Sequence, residues 1–230
     1  MLKIVDAQLA RDQKFVLRFA RECKVLASIR HENVVRISDF GIDTRRPYLA
    51  MEYFANGDLK SRLRGGLRAV TALKIMMQLM KAIDAVHTAG LVHRDLKPHN
   101  IMFRTQEQMA LVDFGLVKPI DVTPSQAHLT QDGMVLATPV YMSPEQCLGR
   151  QQDARSDLYS CGIILFEMLA GKPPFSGDDP GELAYQHVNA RVPKLPAKVA
   201  GFQPVIDRLL AKNPDDRFQS ARDLFAHIAI

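Results

Sequence analysis

With 230 residues, of which 47% are hydrophobic, the chain can bury a sizeable core, and it contains no repeat or low-complexity tract. A net charge of +5 is spread along the sequence without a basic run, which argues for a solvated surface and against a nucleic-acid-binding arm. Three widely spaced cysteines, Cys23, Cys147 and Cys161, give neither a disulfide framework nor a zinc motif, and the longest apolar stretch, 162–170, is interrupted by Glu167 and too short to cross a bilayer. Met1 to Asp6 is not a signal peptide, so the expectation is a cytoplasmic protein without a membrane segment.

Met1-Leu2-Lys3-Ile4-Val5 reads as a short strand. From Asp12 to Ile29, Phe15, Phe19, Leu26 and Ile29 recur at helical spacing and predict one buried face. Glu22 falls inside that stripe. A buried carboxylate costs several kcal/mol unless paired, so a cation is expected nearby, and Lys3 is the candidate. The plainer alternative is that Glu22 borders the face and points to solvent. Two strands are predicted next, Val34 to Phe40 and Tyr48 to Tyr53, with a turn around Asp43 to Pro47. A helix from about Thr71 to Thr88 carries Ile75, Leu79, Ile83 and Val86 on one side and stops at Gly90, a residue suited to the position after a helix end.

The next stretch, Val92-His93-Arg94-Asp95-Leu96-Lys97-Pro98-His99-Asn100, and then Asp113-Phe114-Gly115, put polar groups between apolar runs. Ile101-Met102-Phe103 and Met109 to Val112 read as a small strand pair that would bring Asn100 and Asp113 to one metal site. Transfer of a phosphoryl group needs position and charge more than covalent help: a carboxylate for the incoming hydroxyl, a cation for the phosphate and oxygen ligands for Mg²⁺. Asp95, Lys97, Asn100 and Asp113 are groups of those kinds. Residues Leu116 to Ala137 lack strong periodicity, and a loop of that length is usually functional or mobile. A helix apolar on most faces is predicted at Asp157 to Ala170, and weaker ones near Glu182 to Asn189, Phe202 to Ala211 and Ser220 to Ala229.

On these motifs the chain resembles the protein kinase family over its whole length, and the wording is most similar to bacterial Ser/Thr kinases. The segment at 93–100 resembles the H-R-D-L-K-P-x-N loop, whose Lys two residues after the Asp is the Ser/Thr form. Thr138-Pro139-Val140-Tyr141-Met142-Ser143-Pro144-Glu145 is similar to the end of an activation segment, with Ser143-Pro144-Glu145 for A-P-E and Ala137 where Gly is usual. Ser156-Asp157-Leu158-Tyr159-Ser160-Cys161-Gly162 and Asp216-Arg217-Phe218 complete the pattern. The resemblance implies an α+β, bilobal protein-kinase-like fold: a truncated small β lobe at 1–53 and a mainly helical large lobe at 54–230.

It also implies roles. Asp95 would align the substrate hydroxyl and accept its proton, Lys97 would neutralise the transferring phosphate, and Asn100 and Asp113 would hold Mg²⁺. Lys3, paired with Glu22, would position the ATP phosphates. The adenine edge would meet hinge backbone near Glu52 and Phe54, with Met51 as gatekeeper, Met102 in the nucleotide site and Asp58 at the ribose. Thr138 would contact Asp95 and Lys97, Glu145 would pair with Arg217, and Arg94 would receive a phosphate from the activation segment, where Thr123, Ser125 and Thr130 are the acceptors. A hydroxyl there is equally a plain turn residue, and Asp132 already supplies charge beside Thr130. Cofactors are expected to be ATP and Mg²⁺, and partners protein substrates and a second kinase chain acting in trans.

One departure stands out. Only two residues precede Lys3, so the G-x-G-x-x-G loop that covers ATP phosphates is expected to be missing, and Gly65-Gly66 lies after the hinge and cannot replace it. A start site upstream of Met1, a deliberate fragment and a natural degenerate kinase all account for this, the first being favoured. The expectation is a Ser/Thr protein kinase; the alternative is a pseudokinase-like binding module, and a small-molecule phosphotransferase is a weaker third.

Overall fold

The computed structural model describes residues 1–5, 9–43, 46–63, 67–114 and 139–228. Strands β1 (Leu2–Ile4), β2 (Ile37–Asp43) and β3 (Arg46–Met51) form an antiparallel sheet in the order β1-β3-β2. Helix α1 (Gln13–Ser28) packs on it. Its start is fixed by the Asp12 side chain, which accepts the Lys14 N–H at 2.8 Å and so satisfies a backbone donor that a first helical turn leaves open. The buried stripe is Phe15, Phe19, Cys23 and Leu26, while Glu22 beside it is half-buried and Ile29 is the cap rather than part of the helix.

The second strand begins three residues later than its apolar run predicts. Val34 bridges to Leu111 and Val35 donates its N–H to the Leu111 carbonyl at 2.9 Å, so these two valines join the sheet to the rest of the chain instead of extending β2. The predicted turn at 43–47 includes residues 44 and 45, which lie outside the described residues, as do Gly115 and the whole of 116–138 with Thr123, Ser125, Thr130, Asp132, Ala137 and Thr138.

The remainder is mostly helical: α2 (Leu59–Leu63), α3 (Ala69–Thr88), the hairpin β4 (Ile101–Phe103) and β5 (Met109–Leu111), α4 (Pro144–Cys147), α5 (Ala154–Ala170), α6 (Pro180–Asn189), α7 (Gln203–Leu209) and α8 (Ala221–Ile228). The short helices α2 and α4 are not announced by periodicity, because neither is long enough to repeat a face. Helix α3 buries Ile75, Leu79, Ile83 and Val86, and Gly90 follows it with φ +77°, the left-handed geometry glycine adopts without a Cβ penalty. Helix α5 is buried at every position from Ser156 to Leu169, as its uniform apolarity requires. It starts three residues before its predicted beginning because Asp153 caps it, accepting the Arg155 N–H at 2.8 Å.

Helix α5 approaches α7 closely at Gly162. A Cβ there would lie 2.8 Å from Leu209 Cβ and 2.8 Å from Leu210 Cδ2, so Gly162→Ala is expected to cost about 1–3 kcal/mol through overpacking, measured by urea unfolding. The fold also buries a neutral histidine: His187 of α6 meets the Tyr159 hydroxyl through Nδ1 at 3.0 Å, and burial, reinforced by the charge of Lys212, pushes its pKa down to about 4. Between that value and the ordinary 6.5 the unfolded chain binds the extra proton, so this contribution to stability is whole above pH 6.5 and lost as pH falls towards 4. The loss amounts to about 3 kcal/mol, and chemical unfolding of His187→Gln across that range is expected to show a shallower pH slope than the parent.

Candidate active site

The loop at 93–100 is held from below by α5. The buried Asp157 carboxylate accepts the His93 N–H at 2.8 Å and the Arg94 N–H at 2.9 Å, and it meets His87 Nε2 at 2.8 Å. These bonds keep Arg94 at φ +64°, a left-handed geometry that costs a non-glycine residue on the order of 1 kcal/mol. His93 is fully buried. It contacts the Val112 carbonyl through Nε2 at 2.9 Å, accepts the Asp95 N–H through Nδ1 at 3.3 Å and packs on Phe114, with burial pushing its pKa down so that the neutral ring is favoured.

Those constraints aim the polar groups at one another. Lys97 Nζ lies 2.9 Å from Asp95 Oδ2, and Asn100 donates through Nδ2 to the Asp95 carbonyl at 2.8 Å and more weakly to Asp95 Oδ2 at 3.3 Å. The hairpin does what its spacing predicts: Ile101 pairs with Leu111, Val112 donates to the Asn100 carbonyl at 2.9 Å, and Asn100 Nδ2 reaches the Asp113 carbonyl at 3.4 Å. Asp113 itself has φ +56°. Asp95, Lys97, Asn100 and Asp113 therefore come together, whereas Thr138 lies outside the described residues.

The ion pairs above them differ from expectation. Lys3 does not meet Glu22; its ammonium lies 2.8 Å from Asp113 Oδ1. Glu22 instead faces Arg94, Oε1 to Nη1 at 3.7 Å. Sharing Arg94 this loosely does not compensate desolvation: burial raises the Glu22 carboxyl above its ordinary value despite the opposing charges of Arg94, Arg18 and Arg21. Arg94, expected to await a phosphate, thus has a carboxylate partner inside the fold. The register explains the exchange, since Lys3 lies opposite Leu49 on the sheet and lines an apolar cavity with Asp113, Phe19 and Met51.

At the expected nucleotide-facing stretch, Met51 and Phe54 are buried and Glu52 is half-buried. Asp58 bridges to Met102, which brings the start of α2 against β4. Burial alone would raise the Asp58 carboxyl, but the Ser61 hydroxyl at 2.6 Å and the Ser61 N–H at 2.8 Å outweigh it and hold the group below the usual carboxylate range. Both bonds go to Oδ1, so Asp58 caps α2 with one oxygen.

Glu145 and Arg217 form the expected pair, with Nη1 to Oε1 and Nη2 to Oε2 both at 2.8 Å, and the Ser156 hydroxyl donates to Oε1 at 2.6 Å. Arg217 spends its other protons on the carbonyls of Ala211, Arg155 and Lys212. Sequence reasoning missed the role of Asp157, because an acidic residue in the first turn of an apolar helix reads as a dipole partner. It also missed Gln146, whose side chain closes a capping box with Ser143 and donates to the Arg94 carbonyl at 2.9 Å; the S-x-x-Q spacing was the available signal. Among the described residues no group of three or more His, Cys, Asp or Glu side chains could hold a metal ion. Mg²⁺ bound between one carboxylate and the phosphates of its nucleotide does not need such a group.

Comparison with known proteins follows the same lines. The protein kinase domain family matches residues 1–228. Serine/threonine-protein kinase PknL of Mycobacterium bovis is 38% identical over 226 residues, which cover 96% of this chain and 56% of that protein. PknB of Mycolicibacterium smegmatis is 37% identical over 237 residues, covering 99% of this chain and 38% of its own. The chain thus spans about half or less of the length of these curated relatives. Among solved structures, a crystal structure of a cysteine-to-alanine mutant of the Mycobacterium tuberculosis PknI kinase domain superposes with a TM-score of 0.75 at 27% identity, covering 99% of this chain and 83% of that one. The likeness extends to the α+β fold with small sheets and a mostly helical remainder.

The buried pair gives a test of the scaffold. Burial alone would raise the Glu145 carboxyl, but the bonds from Arg217 and Ser156 hold it below the ordinary range, so its contribution to stability is present above that range and lost as pH falls through the lowered value. Arg217→Met, which strands the buried carboxylate, is expected to cost about 3–5 kcal/mol at neutral pH by urea unfolding. Adding Glu145→Leu to that variant is expected to recover part of the loss, because no uncompensated charge is then buried.

Proposed function

This chain belongs to the protein kinase family, and from that premise we propose that it is the catalytic domain of a serine/threonine protein kinase, moving the γ-phosphate of ATP to serine and threonine hydroxyls of protein substrates. The observation that carries this reading is the convergence of Asp95, Lys97, Asn100 and Asp113 on one another, with the loop beneath them anchored to Asp157. In it Asp95 orients the incoming hydroxyl and takes its proton, and Lys97, already beside that carboxylate, neutralises charge on the transferring phosphate. Such a site gains rate by holding reactants in line.

The donor set fits Mg²⁺. Asn100 uses its amide nitrogen on the carbonyls of Asp95 and Asp113, which leaves its oxygen as the metal-facing end, and Asp113 keeps Oδ2 beyond the one oxygen that meets Lys3. When bound, the ion supplies charge neutralisation for the nucleotide phosphates. Lys3 is proposed to leave Asp113 for the phosphates once nucleotide enters, and Glu22 to follow it from Arg94. The adenine edge is assigned to backbone at Glu52 and Phe54, the ribose to Asp58 and one face of the base to Met102. The division into a small lobe at 1–53 and a large lobe at 54–230, a substrate-side role for Thr138, phosphorylation of 116–138 by a second copy, and a cytoplasmic setting belong to the same proposal. Among the described residues no helix is long and apolar enough to cross a membrane.

A non-catalytic binding module of the same fold is the second reading, favoured by the Lys3–Asp113 pair, which places an ammonium on a proposed metal ligand. Transfer of radiolabel from γ-labelled ATP to a generic protein substrate separates the two. Asp113→Asn and Asp95→Asn are each expected to reduce transfer by at least about a hundredfold while leaving the circular dichroism spectrum unchanged. Undiminished transfer in Asp113→Asn would remove the site assignment, and no transfer by the parent chain would favour the binding module.

A further inference from the structure

Arg104 follows β4, yet every hydrogen-bond acceptor its guanidinium meets among the described residues belongs to residues 32–52. Its Nε donates to Glu52 Oε2 at 2.9 Å and its Nη2 to Glu52 Oε1 at 2.6 Å; Nη2 also donates to the Val34 carbonyl at 2.9 Å, and Nη1 to the Glu32 carbonyl. The Glu52 carboxylate takes a third donor, the Arg36 N–H at 2.6 Å, while the Glu52 N–H bonds back to the Arg36 carbonyl at 3.1 Å. The side chain and the backbone of Glu52 are therefore both fixed, and the Arg104 guanidinium carbon stands 5.7 Å from the centre of the Phe54 ring. One guanidinium thus ties three separate points of the chain to β4, and two of its contacts bear on the stretch 52–54.

Burial by itself would raise the Glu52 carboxyl, but the hydrogen bonds from Arg104 and Arg36 outweigh it, and the group is held ionised below its ordinary range. The clamp also lines an open cavity of about 380 Å³, so water reaches it and screens the charges, and its effect is one of geometry more than of net attraction. Lysine could not replace it. A forked, planar cation meets two carboxylate oxygens and two carbonyls at once, whereas an ammonium offers a single point of charge.

We propose that Arg104 is a positioning residue for the nucleotide: by locking Glu52 it sets where the backbone of 52–54 presents its groups to the adenine edge. This rests on the assignment of 52–54 as the adenine-binding stretch. Arg104 touches no reacting atom, so its loss weakens binding of the base and leaves the transfer chemistry in place.

The test measures Mg²⁺-dependent binding of the non-hydrolysable ATP analogue AMP-PNP and, in parallel, of inorganic tripolyphosphate, which has no base. It compares the 230-residue chain with Arg104→Ala, Arg104→Lys, Glu52→Gln and the Arg104→Ala/Glu52→Gln double variant. The Kd for AMP-PNP and the KM for ATP are expected to rise about tenfold in Arg104→Ala, with tripolyphosphate affinity and kcat within about twofold of the parent. Arg104→Lys is expected to recover little, and the double variant to bind no worse than the weaker single one, since both substitutions break one contact. Unchanged AMP-PNP affinity in Arg104→Ala, or equal losses for AMP-PNP and tripolyphosphate, would overturn the positioning role while leaving the adenine assignment standing. Should Arg104→Ala not fold, Glu52→Gln, nearly isosteric, decides the same question by the same ratio. If adenosine fails to compete with AMP-PNP on the unaltered chain, the adenine assignment itself fails, and the proposal with it.

Discussion

The Asp157 carboxylate is the point on which the site depends. It is almost completely buried at the start of the central helix, and it receives two consecutive backbone N–H groups from the loop that carries Asp95, Lys97 and Asn100. A buried carboxylate is stable only when its lone pairs are answered, and here they are answered by a stretch of backbone held at Arg94 in an unfavourable left-handed geometry. The need of the acid and the strain of the loop offset each other. That arrangement fixes His93 beneath Asp95 and lets the short hairpin deliver Asn100 and Asp113 at a matching height.

The same helix anchors other parts of the molecule by the same logic. Three further buried polar side chains of the helix also reach outward to other parts of the chain: Ser156 to Glu145, Ser160 to the Tyr141 carbonyl at 2.7 Å, and Glu167 to both Lys60 at 2.7 Å and the Tyr141 hydroxyl at 2.6 Å. A helix that is apolar all round would bury itself without choosing its neighbours' positions. These three polar groups and Asp157 choose them, because each one left without its partner would carry a desolvation cost of about 1–3 kcal/mol or more. Residues 139–147, which follow the segment outside the description, are consequently tied at Tyr141, Glu145 and Gln146 to the helix and to the Arg94 carbonyl.

Above the loop the ionic pattern is less committed. Lys3, Glu22, Arg94 and Asp113 form two pairs where a different matching of the same four charges is chemically available. The close pair is partly exposed and the more buried of the two carboxylates is in the loose one, which leaves Glu22 incompletely compensated. Bringing phosphate and metal charge to Lys3 and Asp113 changes which matching is favoured, so the small sheet and α1 have an electrostatic reason to respond to ligand. By contrast the clamp of Arg104 on Glu52 is saturated, and nothing in its geometry invites exchange.

Much of this was legible in the sequence. The 3.6-residue period marked α1 and α3 to within two residues, uniform apolarity marked α5 as buried, and the spacing from Asp95 to Asn100 and Asp113 implied the hairpin that joins them. Glu145 and Arg217 were paired correctly across the chain through the resemblance. What the sequence alone determined were the local periods and the residue types that the chemistry requires, because these follow from backbone geometry and from the reaction. Only the tertiary structure decided partners. Val34 and Val35 left their strand for Leu111, Lys3 took Asp113 in place of Glu22, and Arg104 crossed to Glu52, each set by which oppositely charged or hydrogen-bonding group lay within about 3 Å after packing. Charge pairing depends on distance in space, and a one-dimensional pattern carries no record of that distance for residues far apart in the chain.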